Sequence, residues 1–231
     1  MRRRIPGSAG QPPAQGVGSP RGGEVRGEED VASDALRIID ISRPLREGMR
    51  VWPGDAPFSW RATSSLEEGA PFESTCFSAS AHAGTHADAP AHVLRGGARA
   101  GALDLKPYVG PARVLPLDGQ GEVGPDSLSR FALGVSRVLF QTGGRAFLSP
   151  LAAIRLAEAG AILIGTDAPS IDPHDAPDLP AHGALLSRGV ALLEDLALEH
   201  VAPGDYWLVA LPLKLEDLDA SPVRAVLLTE G

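Results

Sequence analysis

Apolar residues along this chain come in short runs, each closed by Gly, Pro or a charged residue. Runs of four to nine residues suit strands better than helices. They predict strands over residues 37–41, 58–64, 72–80, 112–117, 136–141, 161–164, 190–193, 206–211 and 224–228. Helical signals are fewer. Ser149 is an N-cap with Pro150 at the first helical position, and Leu151, Ile154 and Ala157 share one face up to Gly160. A second helix is expected over 181–188, stopped at Gly189, and a third over 125–132. The pattern is that of a single β-rich α/β domain.

The first 34 residues break the pattern. They hold seven Gly and four Pro, with five Arg balanced by five acids. Such a segment cannot bury enough apolar surface to offset its ordering entropy, so residues 1–34 are expected to be a disordered tail. No apolar stretch follows Arg2-Arg3-Arg4, so a signal peptide is not expected. Residues 35–231 are expected to form the folded domain.

Charge and cysteine narrow the function. The net charge is -8, and the tail is neutral, so the folded part carries it. Nucleic acid and anionic membrane surfaces are therefore not expected as partners. No apolar run is long enough for a transmembrane helix. The single Cys76 excludes an intramolecular disulfide and suits a cytoplasmic location. Lying mid-strand without a basic neighbour, it is expected to be a packed thiol, not a nucleophile. Nucleophile-elbow, P-loop and dinucleotide fingerprints are missing from the sequence.

One segment concentrates chemistry: Ala81-His82-Ala83-Gly84-Thr85-His86-Ala87-Asp88-Ala89-Pro90-Ala91-His92. It contains three of the six His in the chain. Gly84 and Pro90 oppose a regular helix. An extended chain puts His86 and Asp88 on one side, and Gly84 allows a bend that returns His82 toward them. A thiolate-free His/His/Asp set suits Zn²⁺, and also Mn²⁺ or Fe²⁺, in a catalytic site with an open position. A further His could move protons near neutral pH. Spacing alone leaves His174 and His182 as alternative distant ligands, and Glu194 as a semi-buried carboxylate that needs a partner. His200 reads as a surface residue. Asp167 supports the site or caps a turn, and Trp52 plugs the core or stacks on a substrate.

The pattern His-x-Gly-Thr-His-x-Asp-x-Pro-x-His resembles the signature of the cyclase family of metal-dependent hydrolases. The resemblance runs from Ile39 to Leu228. It takes in Ile39-Asp40-Ile41-Ser42, Trp52-Pro53-Gly54-Asp55, Gly165-Thr166-Asp167-Ala168-Pro169-Ser170 and Gly204-Asp205-Tyr206. Its C-terminal block, Asp219-Ala220-Ser221-Pro222-Val223-Arg224-Ala225-Val226, resembles the kynurenine formamidase (arylformamidase) branch. The resemblance implies a swivelling β/β/α-type fold, a homodimer or larger assembly, and two Zn²⁺ ions per subunit, with Mn²⁺ as the alternative. It implies His82, His86 and Asp88 on one metal, with Asp88 bridging. It implies His182 on the second metal, with Glu194 bridging both. His92 would transfer protons and Trp52 would contact an aromatic substrate. The implied reaction is hydrolysis of N-formyl-L-kynurenine to L-kynurenine and formate, a step of tryptophan breakdown. The alternatives are a related hydrolase of a small or cyclic amide such as isatin, and a non-catalytic metal-binding protein. His92, beyond the ligand set, argues against the last. The tail and the short 118–136 stretch depart from the family pattern without touching these residues.

Overall fold

The computed structural model describes residues 36–117, 120–128 and 134–230. The tail expected over 1–34 lies outside the described residues. The chain runs β1 (Arg37–Asp40), β2 (Ser59–Ser64), β3 (Ser74–Ser78), β4 (His86–Asp88), β5 (Val109–Pro116), β6 (Gly121–Val123), α1 (Pro125–Leu128), β7 (Arg137–Gln141) and β8 (Ala146–Leu148). It continues through α2 (Pro150–Glu158), β9 (Leu163–Thr166), α3 (Pro180–Leu186), β10 (Ala191–Glu194), β11 (Gly204–Val209), β12 (Ala220–Pro222) and β13 (Val226–Thr229). All nine expected strands are present, their ends displaced by a few residues. The sequence reading did not identify β4, β6, β8 and β12, each three residues long. A three-residue strand is too short to show a period. Of the helix expected over 125–132, α1 covers the start, and residues 129–132 lie outside the described residues.

Nine strands make one mixed sheet in the order β1-β13-β11-β5-β7-β9-β10-β4-β12. The centre, β5-β7-β9-β10, is parallel, and the strands beyond it are antiparallel. The central strands are apolar on both faces, as parallel strands covered on two sides must be. Val138, Phe140, Ile164 and Leu192 pack under α2 and α3. Leu139, Leu163 and Leu193 alternate to the other face, against Ile41, Tyr108 and Leu196. That second face is closed by curling. Ser42, just past β1, bridges to Leu196, just past β10, and the Ala197 amide donates to the Ile41 carbonyl. β2 and β3 pair only with each other.

Local chemistry explains the two longer helices. The Ser149 hydroxyl accepts from the Ala152 amide, and Pro150 occupies the first turn. At α3 the capping comes from afar: the Asp172 carboxylate accepts from the Ala181 and His182 amides at 2.8 and 3.0 Å. One sequence expectation fails here. Cys76 is exposed, on a strand that pairs only with β2 in a hairpin outside the main sheet.

Gly165 on β9 allows the second face to close. A Cβ there would lie 2.5 Å from Leu139 Cδ2 and 2.9 Å from Leu196 Cδ1. Gly165→Ala should cost about 1–3 kcal/mol of stability through overpacking, read as a lower urea midpoint. A midpoint at or above the parent's would mean these leucines do not press on β9.

Candidate metal centre

The site is built where β4 lies between β10 and β12. Antiparallel pairing sets His86 opposite Glu194 and Asp88 opposite Leu192, so His86, Asp88 and Glu194 project from one face. This is the face that α3 covers, and α3 brings His182. His82 enters from the turn before β4, where Gly84 adopts φ +64° and a side chain would strike Leu45. His92 ends a short 3₁₀ turn, Pro90–His92, directly after β4.

The distances show two shared carboxylates. Asp88 Oδ1 lies 3.0 Å from His82 Nδ1 and 3.4 Å from His86 Nε2, while Oδ2 lies 3.2 Å from His182 Nε2. Glu194 divides its oxygens in the same way: Oε1 is 3.1 Å from His182 Nε2 and Oε2 is 3.6 Å from His86 Nε2. Asp88, His86, His182 and Glu194 are all buried, and His82 and His92 are partly buried. Ring orientations are set from behind. His86 Nδ1 donates to the Gly84 carbonyl at 2.8 Å, and His182 Nδ1 donates to Asp172 at 2.6 Å. Both rings therefore turn Nε2 inward, the arrangement that carboxylate and carbonyl partners impose on ligating imidazoles.

Charge in the cluster follows from burial and proximity. Burial alone would lower the His86 pKa, but hydrogen bonding to Asp88, the Asp88 charge and the Glu194 charge push it up to about 9. His182 is raised well above the usual imidazole range. Burial opposes this, but the Glu194 charge and hydrogen bonds to Asp172, Asp88 and Glu194 prevail. His82 is raised for the same reason, with Asp88 outweighing burial. Asp88 is held well below the usual carboxylate range: burial would raise it, and bonds from His182, His82 and His86 dominate. Positive charge thus collects where the inward nitrogens meet two carboxylates.

The donor set fits a metal. Among the described residues, His86 Nε2 and both Asp88 oxygens are buried without a well-aligned hydrogen-bond partner. Such atoms are costly unless something else pairs with them. Ligand atoms of His82, His86 and Asp88 lie within 4.8 Å of one another, and so do those of Asp88, His182 and Glu194.

Of the residues singled out by sequence, His82, His86, Asp88, His92, His182 and Glu194 meet here, and Trp52 lines the same cavity. His174 is not in the cluster. It stacks on Trp52 with ring centroids 4.7 Å apart, and both border a cavity of about 870 Å³ that opens onto the histidines. His200 is exposed and bonds the Asp40 carbonyl. Asp167 caps the 142–144 turn through the Thr142 and Gly143 amides and the Thr142 hydroxyl. Sequence reasoning missed two carboxylates. Asp172 supports His182. Asp219 Oδ2 sits 3.2 Å from both His82 Nε2 and His92 Nδ1. No spacing signal marks either, since each reaches the site from a distant loop.

Comparison with known proteins agrees with this geometry. The Cyclase family model matches residues 39–173. A protein of Bacillus thuringiensis (strain Al Hakam) named kynurenine formamidase is 42% identical over 204 residues, covering 82% of this chain and 96% of that protein. A solved structure described as a potential metal-dependent hydrolase with cyclase activity superposes with a TM-score of 0.74 at 30% identity, covering 84% of this chain and 98% of the other. Isatin hydrolase A from Labrenzia aggregata shares the fold, with a TM-score of 0.73 at 23% identity over 87% of this chain and 96% of its own. With its fold, its histidine–carboxylate cluster and these similarities in agreement, the chain belongs to the cyclase family of metal-dependent hydrolases.

Proposed function

We propose that this chain is a metal-dependent amide hydrolase that converts N-formyl-L-kynurenine to L-kynurenine and formate. The observation that carries the metal site is the division of Asp88 and Glu194, each turning its two oxygens toward different imidazoles. The 42% identity to a kynurenine formamidase over most of both chains supports the substrate. His82 through Nδ1, His86 through Nε2 and Asp88 would hold one ion. His182 through Nε2 would hold a second, with Asp88 and Glu194 shared between them. We assign Zn²⁺ to both, a choice the thiolate-free nitrogen and oxygen donors suit. Such ions lower the pKa of water and polarise a carbonyl oxygen.

The chain's own residues supply the rest. His92 Nδ1 is engaged by Asp219, which leaves Nε2 as the nitrogen free to move a proton. An arylamine leaves poorly as an anion, so the formamide nitrogen must be protonated as the C–N bond breaks. His92 accepts a proton from the attacking water and delivers it there. Asp219 is a positioning residue that fixes the ring. Trp52, stacked on His174, offers an aromatic wall for the aryl ring. We further propose a cytoplasmic homodimer. The exposed Trp60, Phe72 and Phe77 on and beside the β2–β3 hairpin support the dimer, and the lone exposed thiol suits a reducing compartment.

Chelated protein should release no kynurenine from N-formyl-L-kynurenine, and added Zn²⁺ should restore release, with isatin opened far more slowly. Preferred opening of isatin would keep the metal chemistry and replace the substrate. Full metal loading with no hydrolysis of any amide would leave a metal-binding protein. In the same assay His92→Ala should keep its zinc and lose about 10²–10⁴ of turnover. Loss of zinc from that variant would make His92 a ligand.

Proton competition sets the pH dependence of loading. With its pKa pushed up to about 9, His86 in the metal-free protein favours a proton on its inward nitrogen at neutral pH, and His182, raised well above the usual imidazole range, favours its protonated form too. Each proton must leave before a cation binds. Zn²⁺ affinity should therefore tighten about tenfold or more per pH unit between pH 6 and 8, measured by competition with a chelator of known affinity. An affinity flat in pH would show that the inward nitrogens are already unprotonated.

A further inference from the structure

The cavity is much larger than a formyl group needs, and its charges are unevenly paired. Five carboxylates line it, and each has an assignment. Asp55 accepts from the Ser80 hydroxyl, Asp167 is held by the 142–144 turn, and Glu194 belongs to the metal cluster. Asp195 and Glu199 face Arg43, at 3.6 and 2.6 Å. Arg43 also donates to the Leu196 carbonyl. The two other arginines of the cavity wall, Arg46 and Arg50, are exposed, and their side chains have no hydrogen bond or ion pair among the described residues. Arg50 exerts only a longer-range pull on Asp195.

Arg50 has the more informative position. It also lines an adjoining cavity of about 300 Å³, together with Trp52 and His174. None of His82, His86, Asp88, His92, His182 and Glu194 lines that second space. The guanidinium and the Trp52–His174 stack therefore share the part of the wall that extends beyond the metal cluster. An aryl ring against the stack, with its formamide at the cluster, leaves its remaining substituent in reach of this region. A guanidinium without a counter-ion on a cavity wall favours an anion, and its planar fork matches a carboxylate.

We propose that Arg50 is a specificity-determining residue that binds the α-carboxylate of the substrate. It would select aryl formamides whose tail carries a carboxylate over formanilides that lack one. This inference rests on the formamidase reading and deepens it. Arg46 adds to the local positive potential without the aromatic neighbours.

The test uses zinc-loaded full-length protein and two substrates: N-formyl-L-kynurenine and 2-formamidoacetophenone, which lacks the amino-acid head. Arg50→Ala should raise KM for N-formyl-L-kynurenine about tenfold, the loss of one charge-assisted contact, with kcat within about twofold. The ratio of kcat/KM between the two substrates should fall about tenfold, and Arg50→Lys should recover part of it. An equal fall on both substrates, or no change in the ratio, would overturn the role of Arg50 while leaving the formamidase reading intact. An unsubstituted enzyme that hydrolyses the neutral formanilide but not N-formyl-L-kynurenine would overturn both.

Discussion

The structure depends on a buried negative charge. Asp88 is fully enclosed, and its oxygens meet only imidazole nitrogens, with no well-aligned hydrogen bond. An isolated carboxylate in such a place would be too costly to keep ionised. It is kept ionised because His82, His86 and His182 converge on it, each drawn toward its protonated form. Without a metal the cluster neutralises itself with protons. With a metal the same nitrogens and oxygens present lone pairs to a cation. One arrangement thus serves folding and chemistry.

That convergence requires exact strand placement, and the sheet supplies it. β4 is only three residues long, yet it is paired on both edges, by β10 and by β12. Register with β10 sets Glu194 across from His86, and register with β12 brings the chain next to Asp219 alongside. A one-residue slip would turn His86 and Asp88 to the opposite face, into the apolar packing around Ala87 and Leu193. The parallel centre and its two apolar faces make the sheet a rigid mount. The loops that meet over it carry the adaptable parts: Trp52, His174 and the arginines of the wall.

Two supporting carboxylates show how the scaffold economises on parts. Asp172 caps the start of α3 and orients the imidazole that α3 delivers. The helix cannot form in register without also aiming His182. Asp219 spans two histidines, one at the metal cluster and one poised for proton transfer. These links couple the geometry of the reacting groups to backbone placement, which is how a site on loops acquires the precision of one on strands.

Much of this was legible in the sequence. Short apolar runs named nine strands, and Ser149-Pro150 named a helix start, because those signals are local. The spacing of His82, His86, Asp88 and His92 named a metal segment for the same reason: bend and strand geometry act over a few residues. Tertiary structure decided the rest. Spacing could not separate His182 from His174, since which segment reaches the cluster depends on how the helices and strands pack. Nor could it find Asp172 and Asp219, whose partners lie 10 and 127–137 residues away. Cys76 read as packed because its strand looked like core, and only topology placed that strand in a hairpin apart. Ligand types and local conformation are properties of neighbouring residues, whereas convergence on one buried carboxylate is a property of how distant strands pair.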